Sequence, residues 1–472
     1  MLPWIGTKKK RKNETPIIDF LNANTEELYV NFHALPVFHM QPGNKGYCKY
    51  NESFGNKYLS LETTVTGKIF DSFFYPEKCI KKAQKYASDI FGSNDTLFVT
   101  CGTSISNQIV VDALVGECSR VLIDRELHQS MHFAVNAKRA KFDYIYNETF
   151  CELTEKKYFN IEKLINMVVE ANQIDQPYNV IILNAASYDG VICNVYEVIK
   201  RIIEVTPNTN FIIDEAWSSA FYFHDELYKY TAGYAAAKFK NLVNIVATQS
   251  AHKSLMALRQ GSMIHSFAED EITEKLYRSR FKYHTTSPSY SILASIDMAR
   301  SHMQAYGKEL LNQALENARI LREALASDEL LMPFLTKEKS VDLCELSGGI
   351  FIEDPLKVHL NFKHLGMRGA DFQECLYRNY GIYLNRFTET TALINIHIGI
   401  DKNHICHLLK SLKAILDVKK LNEISYFDDC DFIISYPPGI PMYAPGEKLD
   451  HKKISLDIED KIRNGINVFQ VT

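Results

Sequence analysis

Short apolar runs rich in β-branched residues punctuate the first part of the chain: Leu97-Phe98-Val99, Val121-Leu122-Ile123, Val180-Ile181-Ile182-Leu183, Phe211-Ile212-Ile213 and Leu242 to Val246. Continuous rather than alternating hydrophobicity is what a strand covered on both faces requires. Between the runs the apolar spacing becomes helical, as in Ile80, Ala83, Ala87 and Ile90, which share one helix face. Strands fed by helices in this order predict right-handed β-α-β units. The centre is therefore read as an α/β fold, a mostly parallel central sheet with helices on both faces.

Further on the pattern changes. Leu311, Ala314, Leu315, Ala318, Leu321 and Leu325 predict a long amphipathic helix over Lys308 to Ala326, which Met332-Pro333 interrupts. Beyond it the sequence predicts a strand at Lys357 to Asn361, a helix over Asp371 to Asn379, a strand at Leu393 to Ile398 and a helix over His404 to Leu416, together a smaller C-terminal α+β domain. The first stretch has Pro, Gly and Asn in quantity but no firm period. The expected division is an N-terminal arm (1–60), a large domain (61–325) and a small domain (326–472).

A chain of 472 residues is long enough for two or three domains with a sizeable core. Its 46% hydrophobic and 23% charged residues mark a soluble globular protein, and a net charge of -4 argues against general binding to nucleic acid or anionic lipid. The basic run Lys8 to Lys12 reads as a solvated terminus. No apolar segment follows it as in a secretory signal, and no stretch reaches the roughly 18 residues of a membrane span, so a cytoplasmic location without membrane attachment is expected. Ten cysteines show no C-x-x-C pair and no zinc spacing, so reduced thiols and no metal site are expected.

The candidate chemistry lies where apolar runs end. Ala247-Thr248-Gln249-Ser250-Ala251-His252-Lys253-Ser254 is a polar cluster directly after Val246, at a strand's carboxyl end, where open α/β sheets bind ligands. Burying an ammonium there is costly, whereas forming an imine with an aldehyde cofactor removes the charge; the plainer alternative is a surface lysine on a loop. Asp214 ends the run Phe211 to Ile213 and suits a carboxylate that keeps a pyridine nitrogen protonated, although such an Asp also serves as a helix cap. Gly102-Thr103-Ser104 opens a helical run over Ile105 to Leu114 and suits a phosphate, or an ordinary N-cap. His128 follows the Val121 run and would reach the same edge to stack on a flat ring. Pyridoxal 5'-phosphate is the economical explanation of all four together.

These stretches resemble the ornithine/lysine/arginine decarboxylase family of fold-type-I pyridoxal phosphate enzymes, from about residue 36 to residue 447. The matching text is Phe98 to Asn107, Val121 to Ser130, Ser187 to Gly190, Ile213 to Trp217, Ala247 to His265, His284 to Tyr290, Asp354 to Leu360 and Tyr436 to Glu447. The resemblance implies that Lys253 forms the imine, Asp214 pairs with the pyridine nitrogen, His128 stacks on the ring and Ala216 packs beneath it. Thr103, Ser104, Ser250 and His252 would hold the phosphate. Thr285 or Thr286 would reach it across a dimer interface, which implies a homodimer or a higher assembly of dimers. Asn385 stands where the family carries a substrate-pocket glutamate, Arg386 follows as a candidate for the substrate carboxylate, Pro42-Gly43-Asn44 replaces Pro-Gly-His, and Trp217 to Ala220 replace a histidine-containing stretch.

The implied activity is decarboxylation of a small basic amino acid of arginine, lysine or ornithine type to its amine. The cofactor fixes only that a bond at Cα is weakened, so cyclisation or elimination, transamination or oxidative deamination of an arginine-like or ornithine-like substrate is the alternative. A catalytically silent relative is a third reading, against which Lys253 and Asp214 weigh.

Overall fold

The computed structural model describes residues 14–25, 32, 35, 37, 47–63, 69–240, 242–336, 342–384, 386–422, 432–436, 440–443, 457–458 and 467–471. The run Lys8 to Lys12, the text Pro42-Gly43-Asn44 and Asn385 lie outside the described residues. The chain divides into two units: residues 1–316, 338–357 and 396–399 form the larger, and 317–337, 358–395 and 400–472 the smaller. It therefore crosses between units several times, where the sequence suggested single cuts at 60 and 325.

The larger unit is built on a seven-stranded sheet. Its strands are β1 (Asp95–Val99), β2 (Arg120–Asp124), β3 (Lys141–Ile145), β4 (Val180–Asn184), β5 (Asn210–Asp214), β6 (Ile245–Ser250) and β7 (Ser262–Phe267), in the spatial order β1-β7-β6-β5-β4-β2-β3. β2 pairs in parallel with β3 and β4, and β5 with β4 and β6, whereas β7 runs antiparallel to both β1 and β6. This is the mostly parallel α/β sheet expected, with one reversed strand, β7, between the edge strand β1 and β6.

Both faces are covered, which explains the unbroken hydrophobic runs. Val121, Ile123, Val180, Ile182, Ile212 and Val246 enter one core, with helices α2 (Thr103–Leu114), α3 (Gln129–Ala137) and α8 (Asp270–Tyr283). Their neighbours Leu122, Ile181, Leu183, Phe211, Ile213 and Ile245 enter the other, with α4 (Ile161–Gln173), α5 (Val195–Ile203) and α6 (Ala232–Phe239). Before β1 comes α1 (Cys79–Phe91), whose Ile80, Ala83, Ala87 and Ile90 are buried as the spacing required.

Several elements differ from the sequence reading; the strand expected at Leu393 to Ile398, for one, runs over Thr391–Asn395. Leu242 is exposed, and β6 begins at Ile245 and continues to Ser250, because its polar end is buried with hydrogen-bond partners. β7 and β3 were not anticipated. The long helix α9 spans Tyr290–Ser327, starting well before Lys308. In the arm, helices form over Pro16–Thr25 and Tyr47–Leu59, and Ile17 donates its amide to Asp297 of α9.

The smaller unit is α+β: a two-stranded pair of Lys357–Asn361 with Thr391–Asn395, a three-stranded sheet of Phe432–Tyr436, Ile440–Tyr443 and Asn467–Val471, and helices Gly369–Tyr380 and Lys402–Asn422.

Candidate active site

The carboxyl ends of β1, β2, β4, β5 and β6 surround one cavity of about 410 Å³. Gly102, Thr103 and Ser104 line it after β1, His128 after β2, Tyr188 after β4, Asp214, Ala216 and Trp217 at and after β5, and Ser250, His252 and Lys253 at and after β6. Parallel strands make this convergence possible, since all their carboxyl ends share one sheet edge.

Lys253 sits in a single helical turn, α7 (Ala251–Ser254), that follows β6 without a linker. Its Nζ lies 4.3 Å from the centroid of the Trp217 ring. Among the described residues that ammonium has no hydrogen bond or ion pair. Burial lowers its pKa below the ordinary lysine value, with the Lys357 charge adding to the shift and Asp214 opposing it. A desolvated amine without a polar partner is a nucleophile in waiting.

Asp214 is 4% exposed and ends β5. Its Oδ1 accepts the Ala216 amide at 3.0 Å and its Oδ2 accepts from Asn107 Nδ2 at 3.5 Å. Burial raises its pKa, against the pull of the Ala216 amide, Lys253, His128 and Asn107. A cation placed beside it would offset that effect of burial, which is what a protonated pyridine nitrogen would do.

His128 caps α3: its Nδ1 accepts the Ser130 amide at 3.2 Å and lies 2.9 Å from Ser130 Oγ. In the neutral imidazole this places the proton on Nε2. This cap leaves the residue exposed at the cavity wall.

On the same cavity, α2 is capped by Gly102, whose φ of 81° and ψ of 164° belong to glycine. Glycine offers no side-chain cap; its carbonyl takes the Ile105 and Ser106 amides, and the Thr103 and Ser104 amides are left for a ligand. A Cβ built on Gly102 meets nothing within 4 Å, which leaves room beside those amides. Thr103 Oγ1 bonds to Ser250 Oγ and lies 3.1 Å from Ser262 Oγ, tying α2 to β6 and β7. His252 is fixed by a 3.0 Å bond from Nδ1 to the Gly261 carbonyl oxygen. Amides, hydroxyls, an imidazole, a carboxylate and an amine lining one cavity are the groups that suit the phosphate, ring nitrogen and aldehyde of pyridoxal phosphate.

The sequence matches the family model described as "Orn/Lys/Arg decarboxylase, major domain" over residues 33–404. The chain belongs to the Orn/Lys/Arg decarboxylase family. It is 25% identical to the arginine decarboxylase of Halalkalibacterium halodurans over 505 aligned positions, covering 97% of this chain and 95% of the relative. It is 30% identical to the constitutive lysine decarboxylase of Escherichia coli over 427 positions, covering 82% of this chain and 58% of that one. The solved lysine decarboxylase LdcF of Francisella novicida superposes with a TM-score of 0.72 at 18% identity, over 97% of this chain and 79% of the other. That likeness identifies the fold as fold type I. Family membership makes this an amino-acid-decarboxylase-like enzyme.

Some residues of this Orn/Lys/Arg decarboxylase family site had no role in the sequence reading. Asn107, 1% exposed, also donates to Ser130 Oγ at 2.9 Å and accepts from Thr248 Oγ1 at 2.8 Å, so it braces Asp214 from α2. Tyr188 lies 4.9 Å from Trp217, ring to ring. Below Asp214, fully buried Glu215 accepts from Ala232 N, Tyr222 OH and Gln249 Nε2, and Gln249 continues to His265 and Thr96. Burial pushes Glu215 up to about 7 and His265 down to about 3. The matching stretches Phe98 to Asn107, Ser187 to Gly190, Ile213 to Trp217 and Ala247 to His265 contain Asn107, Tyr188, Glu215, Gln249 and His265, but the match assigned them no role.

Other expected residues are not brought to the cavity in one chain. Thr285 and Thr286 are exposed on the loop after α8 and do not line it. Arg386, partly buried in the smaller unit, accepts the Leu393 amide through its carbonyl at 2.9 Å.

Proposed function

We propose that this chain is a pyridoxal-phosphate-dependent decarboxylase of a basic amino acid of arginine, lysine or ornithine type. The single observation that carries the reading is Lys253, an amine without a hydrogen bond or ion pair among the described residues, opening on the same cavity as the buried Asp214 carboxylate. The names of the relatives, arginine decarboxylase and lysine decarboxylase, support the substrate class.

When bound, pyridoxal phosphate supplies an electron-poor ring that accepts the electron pair of a bond broken at Cα. The first-turn amides of α2 and the side chains of Thr103, Ser104, Ser250 and His252 would hold its phosphate. Asp214 would keep a proton on the ring nitrogen, braced by Asn107. His128 and Ala216 would pack against the ring, and Lys253 would bond to the aldehyde. Once a substrate amine replaces it, Lys253 is freed inside the cavity, where its lowered pKa suits it to carry a proton. Loss of CO2 leaves Cα in need of that proton, and Lys253 would deliver it there. Arg386 is our candidate for the substrate carboxylate.

We further read the working unit as a homodimer in which Thr285 or Thr286 of one chain completes the site of the other. Tyr75 and Phe281, exposed and 6.3 Å apart beside Phe74, form an aromatic patch whose Phe281 is close in sequence to that loop, which supports such an interface. The free thiols found among the described residues agree with a reducing, cytoplasmic setting.

The test is a screen of the cofactor-loaded protein against arginine, lysine and ornithine with mass-resolved products, beside Lys253→Ala. CO2 with the matching amine from one of them, absent in the variant, supports the reading. Keto acid, ammonia or a cyclic product in place of CO2 overturns it in favour of another reaction at Cα, and a protein that takes up no cofactor would be a silent relative.

A further inference from the structure

Lys357 is 5% exposed, and the chemistry proposed above makes no use of it. Its Nζ lies 5.0 Å from the centroid of Trp217, the ring that Lys253 Nζ approaches to 4.3 Å. Two ammonium groups thus share one indole. A buried lysine survives only with compensation, and this one has it: Nζ donates to the Ser187 carbonyl at 2.6 Å and stands 3.6 Å from Asp354 Oδ2.

Both partners belong to one small frame. The Asp354 amide donates to the Gly190 carbonyl at 2.9 Å, and Asp354 Oδ1 accepts the Leu356 amide at 2.9 Å. Gly190, at φ +98°, has no room for a side chain, since a Cβ there would sit 3.3 Å from Lys357 Cβ and Cδ. The lysine stem is therefore packed against the turn Ser187–Gly190, and that turn carries Tyr188 against Trp217.

We infer that Lys357 is a positioning residue for Lys253: it locks the Ser187–Gly190 turn and Trp217 beside the reactive amine, and its charge disfavours a second charge at the same indole. The inference rests on the reading of Lys253 as that amine. The charged groups acting on Lys253 are Asp214, which favours its ammonium, and Lys357, which opposes it, while His252 precedes it in the same helical turn. Lys357 in turn faces Asp354, Asp189 and Lys156, and Lys156 is itself paired with Glu353. Burial lowers the pKa of Lys357 as well, but Asp354 and Asp189 oppose that shift, whereas on Lys253 burial and the like charge of Lys357 work together against Asp214 alone.

The experiment follows the reactivity of Lys253 toward a limiting amount of acetic anhydride in the cofactor-free full-length chain, read by peptide mass spectrometry against pH. Lys357→Met removes the neighbouring charge, so acetylation of Lys253 at mildly alkaline pH should fall about tenfold. Lys357→Arg keeps a cation and a donor and should return it to within about twofold of the parent chain. Equal loss in both variants would assign the effect to packing and overturn the inference, as would unchanged reactivity in Lys357→Met with an unchanged melting temperature. Should Lys357→Met give no cooperative melt, Lys357→Gln, which keeps a donor for Ser187, takes its place with the same expectation. The labelling needs neither cofactor nor amino acid, so failure of the decarboxylase reading would leave this result standing, and the converse holds.

Discussion

Asn107 Nδ2 reaches across 3.5 Å to Asp214 Oδ2, so a helix of one core steadies the carboxylate that ends the central strand of the sheet. The same amide also holds Ser130 and Thr248, which makes Asn107 a three-way brace with no exposure to speak of. Asn107→Ala should strand buried polar groups and cost about 1–3 kcal/mol of stability. It should also weaken cofactor binding about tenfold, read by absorbance titration of the cofactor-free protein. Unaltered binding with lowered stability would confine Asn107 to a packing role.

Asp214→Asn keeps the shape and removes the charge. Thermal stability should hold or rise, because burial already raises the pKa of this group. Turnover should drop at least about a hundredfold, since a neutral amide cannot hold a proton on the ring nitrogen. Parallel melting curves and rate measurements check both halves; a variant within a few-fold of the parent rate would remove Asp214 from the chemistry.

Gly102 holds a backbone conformation that side chains resist. Gly102→Ala should cost about 1–3 kcal/mol and disturb the start of α2. The phosphate end should feel it most, so affinity for pyridoxal phosphate should fall while affinity for pyridoxal, which lacks the phosphate, stays nearly level. Equal losses for the two would contradict a phosphate site at α2.

Glu215 makes the stability pH-dependent. Its pKa is near 4.5 in the unfolded chain and about 7 in the folded one, so the fold binds the proton more tightly. The stabilisation is complete below pH 4.5 and is lost as the pH rises through about 7, a swing of roughly 3 kcal/mol. Glu215→Gln should flatten that decline in urea titrations across the range. Asp124, also pushed up to about 6 by burial, has the same sign and leaves a residual slope. An identical decline in the variant would contradict the buried charge.

How far the fold was legible depended on whether burial was bought with carbon or with hydrogen bonds. Runs such as Val180 to Leu183 announce a covered strand directly, and so does the Ile80 to Ile90 face of α1. Thr248, Gln249 and Ser250 look like a loop, yet they are fully buried in β6 because Asn107, Glu215 and Thr103 satisfy them. Strand β7, with Ser262, His265 and Ser266 inside, was hidden for the same reason. The early turns of α9 bury the ion pair Asp297–Arg300 beside Leu293, Ile296 and Met303, and the partners of that pair, Ile17 and Glu14, lie far away in sequence. In the site, residues that end apolar runs could be read singly. Lys357 could not, because its meaning comes from Ser187 and Trp217, both more than a hundred residues earlier in the chain.

The account stands or falls on a covalent bond between Lys253 and the cofactor. Borohydride reduction of the cofactor-loaded protein, followed by proteolysis and peptide mass spectrometry, should find one pyridoxyl phosphate group on the peptide containing Lys253 and none in Lys253→Ala. A label on another lysine, or no label on a folded protein exposed to excess cofactor, would contradict it.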